Sequence, residues 1–203
     1  MINSAHIKLN RRQQILDVAA GLFAQHGVQL VTTRKIAEAV GISQPSLYAH
    51  FTSVHQIHEE LSAHAFGLLE ASARKALDAG LDADALLTAS IADYFDFSLS
   101  HPVAYRIAFM IEYPVDKEMS RADYDAADHP GPRAFAHLLE VMAVVRPDLG
   151  SGDRDLLAKL LWASMHGLVS LLLARPGFPW GDRHTLIATH MKCLKDMVVS
   201  YAC

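Results

Sequence analysis

Apolar residues Ile15, Leu16, Val18, Ala19, Leu22 and Phe23 recur at steps of three and four, the period of a helix with one buried face. Gly27 follows and can take the left-handed conformation that closes a helix, so a first helix is expected to end there. Thr32 or Thr33 then offers an N-cap hydroxyl, Ile36, Ala37 and Val40 form a short stripe, and Gly41 stops a second helix after about two turns. Gly41, Ile42 and Ser43 read as a tight turn. Ser43 can cap a third helix, Pro45 suits its first turn, and Leu47 and Phe51 point inward. Two short helices across a glycine turn make a helix-turn-helix.

A fourth helix is predicted from near Ser53 past Phe66 and Leu69 to about Ala76, a lever from this head to the rest of the chain. Further helices are predicted near Ala83–Ser100, Val103–Tyr113, Arg133–Val145, Asp155–Ala174 and Asp182–Ala202. The breaks fall at Pro102, Pro114, Pro130-Gly131-Pro132, Pro147 and Pro176-Gly177-Phe178-Pro179. Strand-like alternation is absent. The fold expected is all-α, with a three-helix head (residues 8–68) joined to a larger helical body (69–203). Leu156–Leu173 is apolar nearly all round its helix, which implies burial on more than one side. The last helix carries Leu186, Ile187, Met191, Leu194, Met197, Val198 and Tyr201 at helical spacing. Paired with their copies, segments 155–174 and 182–202 would make a four-helix homodimer interface; alternatively both fill the monomer core.

Composition adds limits. The chain has 203 residues, 51% hydrophobic and 20% charged, enough to bury a substantial core. It contains no tract of about 18 consecutive apolar residues, which argues against a membrane span. Residues 1–10 lack a signal-peptide core, and Cys193 and Cys203, ten apart, match neither a zinc spacing nor a disulfide framework. A reducing, cytoplasmic setting is expected, with both cysteines packing helices and no cofactor. The formal charge of −4 is unevenly spread: residues 1–52 hold five cations against two carboxylates, +3, leaving −7 for the remainder. Exposed charges are screened beyond about 8 Å at physiological salt, so a basic head on an acidic body can still bind DNA.

In a helix-turn-helix the second helix enters the major groove N-terminus first, which makes Gln44, Ser46 and Ala49 candidates for base edges or nearby phosphates, with Pro45 also in the DNA-binding set. The Gln44 amide can bond adenine N6 and N7 together. Thr33, Arg34 and Lys35 at the start of the second helix can meet phosphate, aided by the helix dipole, and Arg11 and Arg12 can meet the backbone from the first. The run Ile15–Phe51 resembles the DNA-binding segment of the TetR family of transcriptional regulators. It joins Leu22-Phe23 and Gly27, Thr33 with Ile36-Ala37, Gly41-Ile42-Ser43, and Leu47-Tyr48 with His50-Phe51 at that family's spacing. The resemblance implies that Tyr48 and His50 contact the DNA backbone. It also implies a homodimer on a pseudo-palindromic operator, repression, and no enzymatic activity. The family commonly has a lysine shortly after the phenylalanine; here Phe51 is followed by Thr52, Ser53 and Val54, so one phosphate contact is missing and affinity should be modest or salt-sensitive.

Trp162, His166 and Gly167, with a preceding HPVAYRIAF stretch from His101, resemble a TetR subgroup with a Trp-His-Gly signature in its C-terminal domain. One helix turn separates Trp162 from His166, so they share a face, and Gly167 permits close helix approach. Phe95, Tyr105, Phe109, Met142, Trp162 and His166 are expected to line an apolar site for a small apolar or aromatic effector, or else to be ordinary core. Two other functions are weaker. A ligand-independent DNA-binding regulator fits the head equally well. A helical metal enzyme lacks support: no Glu-x-x-His pair, phosphate loop, Gly-x-Ser-x-Gly or His-Glu-x-x-His occurs, and His55 with His58 is expected to be a pair of surface histidines.

Overall fold

A computed structural model describes residues 4–110 and 130–202, with side chains from Arg11 and again from Gly131. The predicted helix end at Tyr113, the break at Pro114, and Cys203 lie outside the described residues. Regular structure among those described is helical: α1 (Ser4–His26), α2 (Thr33–Val40), α3 (Gln44–Tyr48), α4 (Val54–Asp78), α5 (Ala83–Ser100), α6 (Pro102–Phe109), α7 (Pro130–Val145), α8 (Ser151–Ala174) and α9 (Arg183–Ser200). Two compact units are formed. The first takes Met1–Ala65 with His101–Lys117, and the second takes Phe66–Ser100 with Glu118–Cys203, so α4 runs through both.

The first unit follows the sequence pattern closely. Gly27 sits at φ 77° and its N–H bonds Phe23 O at 2.9 Å, closing α1. Between the two N-cap candidates it is Thr32 that caps α2, its Oγ1 accepting from Lys35 N–H at 3.2 Å. Gly41, at φ 76°, ends α2 with paired bonds, Gly41 N–H to Glu38 O and Ile42 N–H to Ala37 O, the Schellman arrangement. Ser43 Oγ caps α3 at Ser46 N–H. Ser53 Oγ caps α4 at Gln56 N–H, and Gln56 Oε1 accepts from Thr52 N–H in return. Ile15, Ala19, Phe23, Ile36, Leu47, Phe51 and Ile57 form the core, and Ile107 of α6 joins them.

In the second unit, Leu87, Ile91 and Phe95 of α5, Val141 and Met142 of α7, Leu161, Met165 and Val169 of α8, and Leu194 and Val198 of α9 are buried. Several boundaries differ from expectation; α6, for one, runs Pro102–Phe109 and gives way to a turn at Met110. α7 starts at Pro130 rather than Arg133, because the first turn of a helix has no backbone partner for its N–H groups and proline sacrifices nothing there. α8 starts at Ser151 rather than Asp155, since its first turn is polar and carries no apolar period, and α9 ends at Ser200 rather than Ala202. Arg146, following α7, clamps the end of α9 by donating to Val198 O at 2.6 Å and Tyr201 O at 2.8 Å, while pairing with Asp148.

Among the described helices α8 alone is long and apolar enough to cross a membrane. Its geometry gives those residues another use. One face (Leu157, Leu161, Met165, Val169, Leu172) is core, while Leu156, Leu160 and Leu171 are 48%, 44% and 49% exposed. Leu156, Leu160, Ala163, Gly167, Ser170 and Ala174 recur at alternating steps of four and three along that outer side. The close approach that Gly167 permits is not used among the described residues, for none lies within 4 Å of a Cβ built there. Cys193 is likewise exposed on α9 rather than packed.

Candidate nucleic-acid interface

α3 is only five residues long, far below the roughly 12 to 15 residues at which an isolated helix becomes marginally stable, so the first-unit core must hold it. Leu47 and Phe51, both buried, anchor its inner side, and the Arg12 guanidinium lies 4.5 Å from the centre of the Phe51 ring. Arg12 also forms an ion pair with Glu60 of α4. Its charge is thus matched within the unit, where it braces α1 against α4. Arg11 donates to Gln14 on the same helix.

On the outer side of this platform three expected residues meet. Gln44 Nε2 donates to Thr33 Oγ1 at 3.1 Å, and Thr33 Oγ1 lies 3.3 Å from the Tyr48 hydroxyl. Tyr48 is exposed despite its size, as are Gln44, Pro45 and Arg34. Ser46 gives its backbone N–H to the cap, and His50 sits half-exposed in the turn after α3, its N–H bonded to Leu47 O. Lys35 does not join the cluster. Its Nζ donates to Leu30 O at 2.8 Å, which leaves two of three ammonium protons for other acceptors. Polar side chains from the start of α2 and from α3 thus meet at one place, and Arg34, next to Thr33 in the chain, is exposed, a layout suited to groove and phosphate contact. Sequence periodicity located α2 and α3 but could not show that Thr33 touches both Gln44 and Tyr48, because that contact depends on the angle of the turn.

The six residues expected around an effector divide between the units. Tyr105 and Phe109 belong to the first, where their ring centroids are 5.0 Å apart and Tyr105 is fully buried. Phe95, Met142, Trp162 and His166 belong to the second. Phe95 packs edge-on to His190, and Met142 is buried. Trp162, partly exposed, lies between Phe135 at 6.2 Å and His166 at 6.4 Å. Burial holds the His166 imidazole below its ordinary pKa, favouring the neutral ring. A separate open groove of about 590 Å³ between α5 and α9 is lined by Asp84, Thr88, Met191, Lys192 and Lys195 among others, and includes none of the six.

Two further features were not foreseen. Glu70 and Arg74 of α4 are tied to α7, with Arg133 3.2 Å from Glu70, His137 between Glu70 and Glu140, and Arg74 3.5 Å from Glu140. His58 is not a surface residue: it is buried, edge-on to Phe23, while His55 is exposed and pairs with Glu59 at 3.0 Å. No group of three His, Cys, Asp or Glu side chains suited to a metal comes together among the described residues.

Residues 15–61 match the family model for bacterial regulatory proteins of the tetR family, and residues 87–192 match that for tetracyclin repressor-like C-terminal domains. The HTH-type transcriptional repressor KstR2 of Rhodococcus jostii is 37% identical over 89 residues, 44% of this chain and 44% of that protein. The HTH-type transcriptional activator FasR of Mycolicibacterium smegmatis is 28% identical over 110 residues, 54% of this chain and 50% of that protein. The chain thus spans about half the length of these curated relatives or less. The solved structure of the fatty acid degradation regulator FadR of Bacillus halodurans superposes with a TM-score of 0.71 at 15% identity, covering 94% of this chain and 95% of that one, a likeness of fold.

Proposed function

Because the chain belongs to the TetR family of bacterial regulatory proteins, we propose that it is a cytoplasmic, DNA-binding transcriptional regulator, a repressor that reads a pseudo-palindromic operator as a homodimer. The observation that carries this reading is the surface Thr33–Gln44–Tyr48 cluster, mounted on the buried Leu47 and Phe51. Residues 8–68, with α6 packed into their core, form the reading head, with Thr33, Arg34, Lys35, Gln44, Pro45, Ser46, Tyr48 and His50 at the DNA, and the remainder of 69–203 forms the sensing and dimerising body. In a dimer the outer stripe of α8, small from Ala163 onward, packs against its copy together with α9, setting two heads on successive major grooves about 34 Å apart.

The body responds to a small apolar or aromatic molecule held among Phe95, Met142, Trp162 and His166 of the second unit, and the Trp162, His166 and Gly167 group supports the Trp-His-Gly subgroup. An effector that favours a different setting of α4 weakens DNA binding, and DNA weakens effector binding by the same factor. The reading is tested by titrating the protein onto a duplex from its own upstream region, against a scrambled duplex, at several salt concentrations. Saturable, sequence-dependent binding whose log–log salt slope falls by about 0.9 in Arg34→Ala supports it. Equal binding to the scrambled duplex overturns it. KstR2 is named a repressor and FasR an activator, so transcription from the bound promoter decides the sign.

A further inference from the structure

We propose that Thr33 is a positioning residue that fixes which edge of Gln44 faces a base, through a directed chain of hydrogen bonds ending on a DNA phosphate. The inference rests on the reading of α2 and α3 as the DNA-contacting elements. Three polar atoms carry it: Gln44 Nε2 and Thr33 Oγ1 at 3.1 Å, and Thr33 Oγ1 and the Tyr48 hydroxyl at 3.3 Å.

In the free protein either hydroxyl can donate across the Thr33–Tyr48 contact. A phosphate removes that choice. Phosphate oxygens are the commonest partners of hydroxyls at a DNA surface, and they only accept. Tyr48, exposed beside Gln44, then donates its single proton to phosphate and can only accept from Thr33. Thr33 gives its proton to Tyr48, so its oxygen must accept from Gln44. The Nε2 amino group of Gln44 can supply that bond and Oε1 cannot. The amide is thereby locked with Nε2 on Thr33; when the proton anti to Oε1 makes that bond, the syn proton is left beside Oε1 as a free donor next to a free acceptor.

A donor next to an acceptor complements the major-groove edge of adenine, N7 and the N6 amino group, whereas guanine presents two acceptors, N7 and O6. An unrestrained amide could turn its amino group outward and meet guanine. Thr33 therefore selects adenine over guanine without touching a base, and the selection is complete only once Tyr48 has reached the backbone.

Full-length wild type, Thr33→Val, Thr33→Ser, Tyr48→Phe and Gln44→Ala are each used to select duplexes from a randomised pool. Adenine and guanine duplexes are then competed at the position where Gln44→Ala loses its preference. Wild type is expected to prefer adenine there by about 5- to 150-fold, the range of one good bidentate pair. Thr33→Val and Tyr48→Phe should bring the ratio below about threefold while preferences elsewhere in the site persist. Thr33→Ser, which keeps the hydroxyl, should restore it. An unchanged adenine preference in Thr33→Val, or an equal loss at every position, overturns the chain of bonds while leaving DNA recognition intact. Failure of wild type to enrich any sequence overturns recognition itself. If Thr33→Val does not fold by circular dichroism, Tyr48→Phe, whose substitution removes only an exposed hydroxyl, decides the matter by the same ratio.

Discussion

Leu47 has no exposed surface, and its truncation to alanine removes three carbons from the core that holds α3. At about 0.8 kcal/mol for each buried methylene the transfer loss alone is near 2.4 kcal/mol, and the cavity left behind brings the expected cost to about 2–5 kcal/mol. A five-residue helix has no stability of its own to set against this. The chain offers a way to locate the loss, because both tryptophans, Trp162 and Trp180, belong to the second unit. Tryptophan fluorescence therefore reports that unit, while far-ultraviolet circular dichroism reports all helices. With a urea dependence of about 1 kcal/mol per molar for a unit of this size, Leu47→Ala should move part of the dichroism transition down by about 2–5 M. The fluorescence midpoint should stay where it is in wild type, and DNA binding should fail at urea concentrations that leave the fluorescence native. If both signals shift together by the same free energy, the loss is not confined to the first unit and the reasoning is wrong; if neither shifts, Leu47 does not hold α3.

Ser43→Ala removes the cap on Ser46 N–H and should cost about 0.5–2 kcal/mol, read as a lower urea midpoint of the dichroism component assigned to the first unit. Arg146→Ala frees two carbonyls at the end of α9 and should lower the stability of the second unit by about 1.5–3 kcal/mol in fluorescence-detected unfolding, with Arg146→Lys recovering part of it. His166 is held below its ordinary pKa by burial, so the unfolded chain takes up the proton first on acidification. Its contribution is complete above the ordinary histidine value near 6.5 and is lost as pH falls through the lower folded value. The fluorescence midpoint of wild type should therefore fall faster than that of His166→Gln between about pH 7 and pH 5, and parallel curves would remove His166 as the cause.

The head was legible because its signals are local. Gly27 and Gly41 mark positive φ, Ser43 and Pro45 mark a helix start, and Leu47 and Phe51 mark the inner face; each depends on neighbours within a few residues. What escaped the sequence depends on distant partners. Arg12 reads as a phosphate ligand until Glu60 and Phe51 are seen beside it. His58, three residues from the exposed His55, is buried because its side of α4 faces Phe23. Pro130-Gly131-Pro132 reads as a break although it forms the first turn of α7, and the polar start of α8 carries no apolar period, so pattern alone placed both helices late. Candidate effector residues were chosen by type, and type does not tell which of two units a ring belongs to.

Ile107 completes the core of the first unit from a point some 50 residues beyond the α4 segment with which that core otherwise ends. A ribosome delivers the chain in order, so the head cannot close when its own contiguous stretch has emerged; it waits for α5 to pass and for α6 to return. The same discontinuity bears on protein engineering. A graft of residues 1–65 onto another body would carry every side chain proposed to meet DNA and leave the site of Ile107 as an open apolar wound, so a transplantable reading module from this chain must bring α6 with it.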